Sequence, residues 1–421
     1  MLTLRRIFRA SSVPPEYHHN FIHLYFDIGW FGVLSGSAVN FLNVYATRLG
    51  ASGFQIGLLG ATSAIVNLIF AIPVMGWLEK RPVGKAVFWT SVFYRLGFLL
   101  WIPLPWLFSN QGQVWALILI TLLMGIPLTA LTVGFNALFA AAVPTNWRAH
   151  VAGIRNVVLS PTFIISSLGS GYLLNHMPFT SGYQVVFAIG FLGAMMSSFH
   201  LYFIQPLTLR HTLAEQPQQK PSTRSERSKH RRNWHTNIRA DIWQTPFRSI
   251  LLVLLAFHIA QYLPIPLFPL YFVRKLNLND SQIGTGMAAF YLSVLIGSTQ
   301  LARLTHRLDH KRVTAFGVLG MSIYPALLAL ARGFGLYMVT SILGGFAWAM
   351  VGGALINYLL DKVPAEERPP YLAWYNIILN AAILFGSLLG PILANQIGLS
   401  TALILFGVLR LLSGLAILRW G

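Results

Sequence analysis

Residues 45–57, Tyr-Ala-Thr-Arg-Leu-Gly-Ala-Ser-Gly-Phe-Gln-Ile-Gly, return at 272–284 as Phe-Val-Arg-Lys-Leu-Asn-Leu-Asn-Asp-Ser-Gln-Ile-Gly. The aromatic residue (Tyr45, Phe272), the base (Arg48, Lys275), the leucine (Leu49, Leu276) and Gln-Ile-Gly keep their spacing at an offset of 227. A second pair follows in the same order. Val143-Pro144-x-x-x-Arg148 has Asn156 eight residues on, and Val363-Pro364-x-x-x-Arg368 has Asn376 eight residues on, an offset of 220. Two ordered matches at nearly one offset identify a duplicated chain.

Each copy sits among long apolar runs. Of 421 residues, 55% are hydrophobic and 10% charged, whereas a soluble domain carries about 25% charged residues. Apolar runs of 18 or more recur between Asn20 and Arg419, each long enough to cross a ~30 Å hydrocarbon layer as a helix. The ~10-residue alternation of a membrane barrel is missing. The runs read as twelve helices: 20–47, 54–78, 85–108, 113–143, 148–174, 183–205, 249–273, 281–304, 311–330, 335–361, 368–394 and 400–419. The expected fold is therefore an all-α polytopic membrane protein, with twelve transmembrane helices in two six-helix bundles related by a pseudo-two-fold axis. The expected segments are a tail over 1–19, bundles over 20–205 and 249–421, and a linker over 206–248. The tail has no apolar stretch and no cleavage site, so the first helix is expected to serve as the insertion signal.

The formal charge of +19 is explained by where the bases lie. With the N-terminus inside, 24 of the 30 Lys and Arg fall on the inner side, while Arg48, Arg274, Lys275 and Arg332 fall outside. Arg95 and Arg410 lie within helices. This asymmetry places both termini in the cytoplasm, in a multi-pass protein of the plasma (bacterial inner) membrane. The 206–248 segment, rich in Gln, Pro, Ser and Arg, reads as a flexible linker with a short surface helix around Trp234–Trp243, suited to anionic lipids. No folded module accompanies its charge, so nucleic acid is not an expected partner. Cysteine is absent, which removes disulfides, thiolate catalysis and cysteine metal sites.

The segment Gly76-Trp-Leu-Glu-Lys-Arg-Pro-Val-Gly-Lys85, between the second and third helices, resembles the G-x-L-x-D-R-x-G-R-R signature of the major facilitator superfamily. Its acid stands one place early and its second glycine one place late. The Val-Pro-x-x-x-Arg elements are similar to that family's loops before helices five and eleven. The resemblance implies a latch at the cytoplasmic face, with Glu79, Arg81, Arg148 and Arg368 as its candidates. It also implies a cavity lined by helices one, four, seven and ten. Helix five reads Gly169-Ser-Gly-Tyr172 and lacks the proline run usual in proton-driven drug exporters; helix eleven carries Gly386-x-x-x-Gly390-Pro391.

Ionisable groups inside a span each need a partner or water. Asp27 and Arg95 lie at similar depth and are expected to pair. His258 can titrate near neutrality or stay neutral in the core. Arg410 can bind a substrate anion or bond to facing helices through Ser or Asn. Asn136 and Asn357 stand at similar depth in related helices. Asn376 and Asn380 share one face of helix eleven. All eight are candidate substrate or coupling residues, with Tyr262, Trp348 and Tyr358 as possible cavity walls. Asp361, Glu366 and Glu367 form the only close acidic cluster, in a loop beside Lys362 and Arg368. With no phosphate loop and no His-Glu-x-x-His, an enzyme is not expected, nor a cofactor or metal.

The expected function is secondary active transport of a small-molecule solute by rocker-type alternating access, coupled to a proton or substrate gradient. The chain is expected to act as a monomer. The alternatives are multidrug or metabolite efflux within the same class, and a scaffold or sensor that keeps the fold without transporting.

Overall fold

The computed structural model describes residues 14–207, 239–364 and 367–421. Most of the expected linker, including Ser222 and Trp234, lies outside the described residues, as do residues 1–13 and Glu366. Among the described residues the chain is helical, with no strand.

The described residues form twelve long helical segments. The first, α1 (15–48), is continuous but loosens into a π-helical turn at Ser35–Val39. Then come α2 (Gly53–Glu79), α3 (Val83–Trp101), α4 (Asn110–Ala142), α5 (Arg148–His176) and α6 (Phe179–Tyr202). In the second half, α7 covers Phe247–Lys275 with an irregular break after Tyr262. The stretch Asp280–Leu330 divides at Asp309, whose φ of 64° no helix accommodates, into α8 (280–308) and α9 (310–330). Both ends of this hairpin lie at the same end of the bundle, since Tyr271 Oη donates to Ala329 O. The rest are α10 (Phe334–Asp361), α11 (Arg368–Ile397) and α12 (Leu399–Trp420). Among the described residues, nine helices, the Asp280–Leu330 hairpin counted as one, are long and apolar enough to cross a membrane. The third is shorter than the expected 85–108, because Pro103 and Pro105 close it at Trp101 and leave a single turn at Leu104–Leu107.

The repeated motif has a structural reason. Ser52 and Asn279 are the N-caps of α2 and α8, and each forms a reciprocal capping box with the glutamine three residues on. The glycine that closes each motif allows close helix contact. A Cβ built at Gly284 would stand 2.7 Å from Ser167 O, and Gly57 meets the backbone of Ser387 in the same way.

Packing inside the halves repeats as well. α1 packs on α5 and α6, α2 on α4, and α3 on α4 and α6; α7 packs on α11 and α12. The halves meet along two seams, α5 with α8 and α2 with α11. Large apolar side chains such as Phe93, Leu119, Ile165, Leu192 and Leu409 stay exposed on the outside, as a lipid-facing surface requires. Arg239, where the chain re-enters the second half, forks onto Asp241 at 2.8 Å and reaches Glu367 at 3.4 Å. The guanidinium bonds hold the Asp241 carboxyl below the usual carboxylate range. The described part of the expected surface helix is a 3-10 turn, Ala240–Gln244.

Candidate functional site

The two ends of the molecule differ. At the end that carries Arg48 and Asp280, one apolar core runs through both halves, joining Phe41, Tyr45 and Ile56 to Leu267, Phe272 and Ile283. At the opposite, basic end there are two separate cores. One is built on Phe21, Leu24, Leu138 and Val151, the other on Leu251, Leu254, Val351 and Tyr371. The polar bonds between halves follow the same division. Arg48 Nε donates to Asp280 Oδ1 at 2.9 Å and Arg48 Nη2 to Leu278 O at 2.9 Å. Tyr183 Oη donates to Asp280 Oδ1 at 3.0 Å, and Arg274 bonds to Ala51 O. Deeper in, Ser167 Oγ donates to Gly284 O, and Phe163 stacks on Tyr291 at 3.8 Å. Asn67 Nδ2, at mid-depth, donates to Asn380 Oδ1 at 3.1 Å. Among the described residues, no hydrogen bond or ion pair joins the halves nearer the basic end. A cleft therefore opens between the bundles on that side.

In the first half, α1, α3, α5 and α6 enclose a buried charge cluster. The expected Asp27–Arg95 pair is present, but at 3.8 Å it is the looser contact. Arg155 Nη1 donates to Asp27 Oδ2 at 3.0 Å and to Leu24 O at 2.7 Å. Ser197 Oγ donates to Asp27 Oδ1 at 2.5 Å, and Arg95 Nη1 donates to Ser198 Oγ at 2.8 Å. One carboxylate is thus shared by two guanidiniums, so the cluster keeps a net positive charge. The Arg155 guanidinium also lies over the Phe135 ring, 4.8 Å from its centroid. The sequence reading counts Arg155 with the inner-side bases although the expected helix 148–174 contains it; α5, starting at Arg148 as expected, carries it two turns into the bundle. A nearby pair, His23 and His200, are hydrogen-bonded through their Nδ1 atoms at 2.9 Å. Their separation of 177 residues leaves no local sequence signal for it.

In the second half, a cavity of about 130 Å³ lies between α7, α10 and α11. His258, Gln261, Tyr262, Trp348 and Tyr375 supply most of its polar and aromatic lining. His258 Nε2 hydrogen-bonds to Tyr375 Oη at 3.2 Å. Tyr262 and Trp348 stand in the wall as expected, whereas Tyr358 is buried elsewhere in the core. Sequence reasoning misses Gln261 and Tyr375.

The break in α7 places this wall. Pro264 has no N–H for Ala260 O, and Pro325 has none for Met321 O, so two carbonyls lose their helical partners. Arg410, 1% exposed, supplies them: Nε donates to Ala260 O at 3.2 Å, Nη1 to Met321 O at 3.1 Å and Nη2 to Gln261 O at 2.8 Å. The partners of Arg410 are therefore backbone carbonyls of facing helices, not the Ser or Asn side chains expected. Adding the repeat offset to Ser35–Val39 gives 262–266, the break in α7. Both first helices thus depart from α-helical geometry at the same point, α1 as a continuous π-helical turn and α7 as a break.

The amides lie around this cleft with different partners. Asn136, Asn357 and Asn376 are exposed. Asn376 Nδ2 and Asn357 Nδ2 turn back to their own helices, onto Leu372 O and Gly353 O. Asn380 Nδ2 does the same onto Asn376 O at 2.8 Å, while its Oδ1 joins a chain across the halves through Asn67, which also accepts from Thr129 Oγ1 at 2.6 Å. The candidate latch residues stay apart in this conformation. Arg148 caps Ala140 O and Val143 O, Arg81 covers the Trp77 ring at 4.6 Å, and Glu79 and Arg368 are exposed.

The family profile described as Major Facilitator Superfamily matches residues 28–262 and 250–421. Quinolone resistance protein NorA of Staphylococcus aureus (strain MRSA252) is 26% identical over 133 residues, 32% of this chain and 34% of that protein. The chain thus aligns with about a third of the length of such curated relatives. Among solved structures, nucleoside transporter NupG is similar with a TM-score of 0.64 at 14% identity, covering 95% of this chain and 98% of that one. A bacterial homologue of the iron transporter ferroportin, in an inward-facing state, gives 0.72 at 13% identity, with 97% and 99% covered.

Proposed function

Because the chain belongs to the Major Facilitator Superfamily, we propose that it is a secondary active transporter, an integral membrane protein that moves a small solute by rocker-type alternating access. The observation that carries this is the contrast between one core shared at one end and two separate cores at the other. Two rigid bundles hinged on the α5/α8 and α2/α11 seams can exchange which end is closed. The basic end is the cytoplasmic one, since positive loops stay inside, so the conformation described here is open inward. The gradient that drives the cycle is that of protons or of the solute itself, and Asp27 is the carboxylate placed for proton coupling. Glu79, Arg81, Arg148 and Arg368 then meet when the cytoplasmic end closes. The name of the relative NorA favours export of organic molecules as the second reading, over the third of the chain that aligns.

Orientation is tested by single cysteines in a chain that has none. Ser222→Cys should resist an impermeant maleimide in intact cells, while Ser109→Cys reacts. Labelling of Ser222→Cys from outside would reverse the topology.

Conformational exchange is tested at the closed end. Asp280→Asn removes the negative charge from the acceptor shared by Arg48 and Tyr183, and with it the ion pair to Arg48. A loss of ~1–2 kcal/mol there shifts the population of open forms by about 5- to 30-fold. Reactivity of Asn376→Cys in the cleft should then fall in the Asp280→Asn background. Unchanged reactivity would mean that this contact does not hold the outer end closed.

A further inference from the structure

We propose that Arg155 is the seat of an anion site whose ligand is the carboxylate of a small organic solute, gripped by the Nε/Nη2 edge of the guanidinium. Charge, free donors and access each lead to that chemistry.

Charge comes first. Arg95 and Arg155 share one carboxylate, Asp27, and no other ion pair reaches either guanidinium among the described residues. One positive charge is left over. Neither arginine can lose it, and Arg95 is only 3% exposed. A single carboxylate balances this surplus, whereas a phosphate dianion exceeds it.

The free donors are the second observation. Arg155 commits only Nη1, to Asp27 Oδ2 at 3.0 Å and Leu24 O at 2.7 Å. Its Nε and Nη2 have no partner among the described residues. These two nitrogens carry parallel N–H bonds, the fork that a carboxylate accepts with both oxygens. Arg95 Nε, buried, also lacks a partner. The cluster is therefore short of acceptors as well as of negative charge.

Access is the third. Arg95 Nε is shut away from solvent, but the Arg155 side chain is 11% exposed. Nη1 ties it to α1, and the Phe135 ring of α4 covers one face at 4.8 Å. The fork on the far side from Nη1 stays open. Arg155 lies two turns from the start of α5, at the end where the halves have separate cores. A solute reaching it from the basic side meets a partly desolvated cation with two unspent donors, where charge-assisted bonds are strong. That the anion is then carried across the membrane rests on the transporter reading above; its binding does not.

The test compares benzoate with benzamide, which has the same ring and nearly the same shape but no charge. Binding to the purified full-length protein in phosphatidylcholine nanodiscs is measured by calorimetry. Benzoate should bind roughly tenfold more tightly, or better. Arg155→Lys keeps a cation for Asp27 but has no fork, so benzoate should fall to about the level of benzamide. Asp27→Asn removes the carboxylate that competes for Arg155 and should tighten benzoate about fivefold or more. The Arg155→Lys comparison decides the matter alone if Asp27→Asn is too unstable to purify. Equal affinities for the two probes, no binding of benzoate, or full affinity in Arg155→Lys would each overturn the proposal. So would inorganic phosphate displacing benzoate at equal concentration, which would mark a counterion site only. Loss of benzoate binding in nanodiscs containing phosphatidylglycerol would also overturn it, by assigning the fork to a lipid headgroup. The distance measurement that tests alternating access uses no ligand, so failure of one reading is separable from failure of the other.

Discussion

Asp27→Leu is expected to lower the stability of the purified protein by roughly 3–5 kcal/mol, the cost of a buried charge left without its partner. The carboxylate lies between Arg155 at 3.0 Å and Arg95 at 3.8 Å. Neither guanidinium can shed its charge. Loss of Asp27 therefore strands both. Arg95→Leu should cost less, because Asp27 keeps Arg155 and Ser197. The double substitution Asp27→Leu/Arg95→Leu should recover part of the loss. Recovery stays partial because Arg155 remains, although it is eased by the Phe135 ring and by a side chain that is 11% exposed. Thermal unfolding and the monodisperse fraction in detergent read these differences. If Arg95→Leu proves as damaging as Asp27→Leu, or the double mutant equals the sum of the singles, the carboxylate is not the keystone of the cluster.

Arg410→Leu should be similarly damaging, for a different reason. It leaves Ala260, Gln261 and Met321 carbonyls buried without donors, at ~1–3 kcal/mol each before the structure relaxes. A loss of roughly 3–5 kcal/mol is expected once that relaxation is allowed for. The mechanism has its own rescue. Pro325→Ala restores the N–H that Met321 O lacks. It should therefore stabilise the Arg410→Leu protein more than the parent, by a coupling of about 1–2 kcal/mol. Equal effects in both backgrounds would show that Arg410 is held for its charge rather than for the broken helix.

Much of the architecture was legible because duplication repeats its own punctuation. The motif around Ser52-x-x-Gln55 and Asn279-x-x-Gln282 recurs because each copy caps a helix, and its glycine recurs because each copy crosses a seam. Depth within a span also carries information, so Asp27 and Arg95 could be placed together from hydropathy alone. Arg155 escaped that logic because it was counted with the inner-side bases, although it lies two turns into the helix expected and found to begin at Arg148. The partners of Arg410 escaped it for another reason. They are backbone carbonyls, which side-chain chemistry does not display, although the prolines that orphan them are visible at 264 and 325. Gln261 is legible only once α7 is known to break one residue later. The third helix was read seven residues too long because its apolar character continues past the point where Pro103 and Pro105 end it.

The central claim is that the two bundles rock as rigid bodies about a shared seam. Distances between spin labels at both ends test it most directly. One pair replaces Lys80 and Lys362 at the basic end, and the other replaces Ser109 and Arg332 at the opposite end; all four positions are exposed. In the parent protein in nanodiscs the basic-end pair should be the widely separated one. With Asp280→Asn added, the population should shift so that the Lys80/Lys362 distance shortens while the Ser109/Arg332 distance lengthens. Reciprocal change at the two ends is the result the account predicts. Two distances that lengthen together, or that stay fixed in both backgrounds, would contradict it.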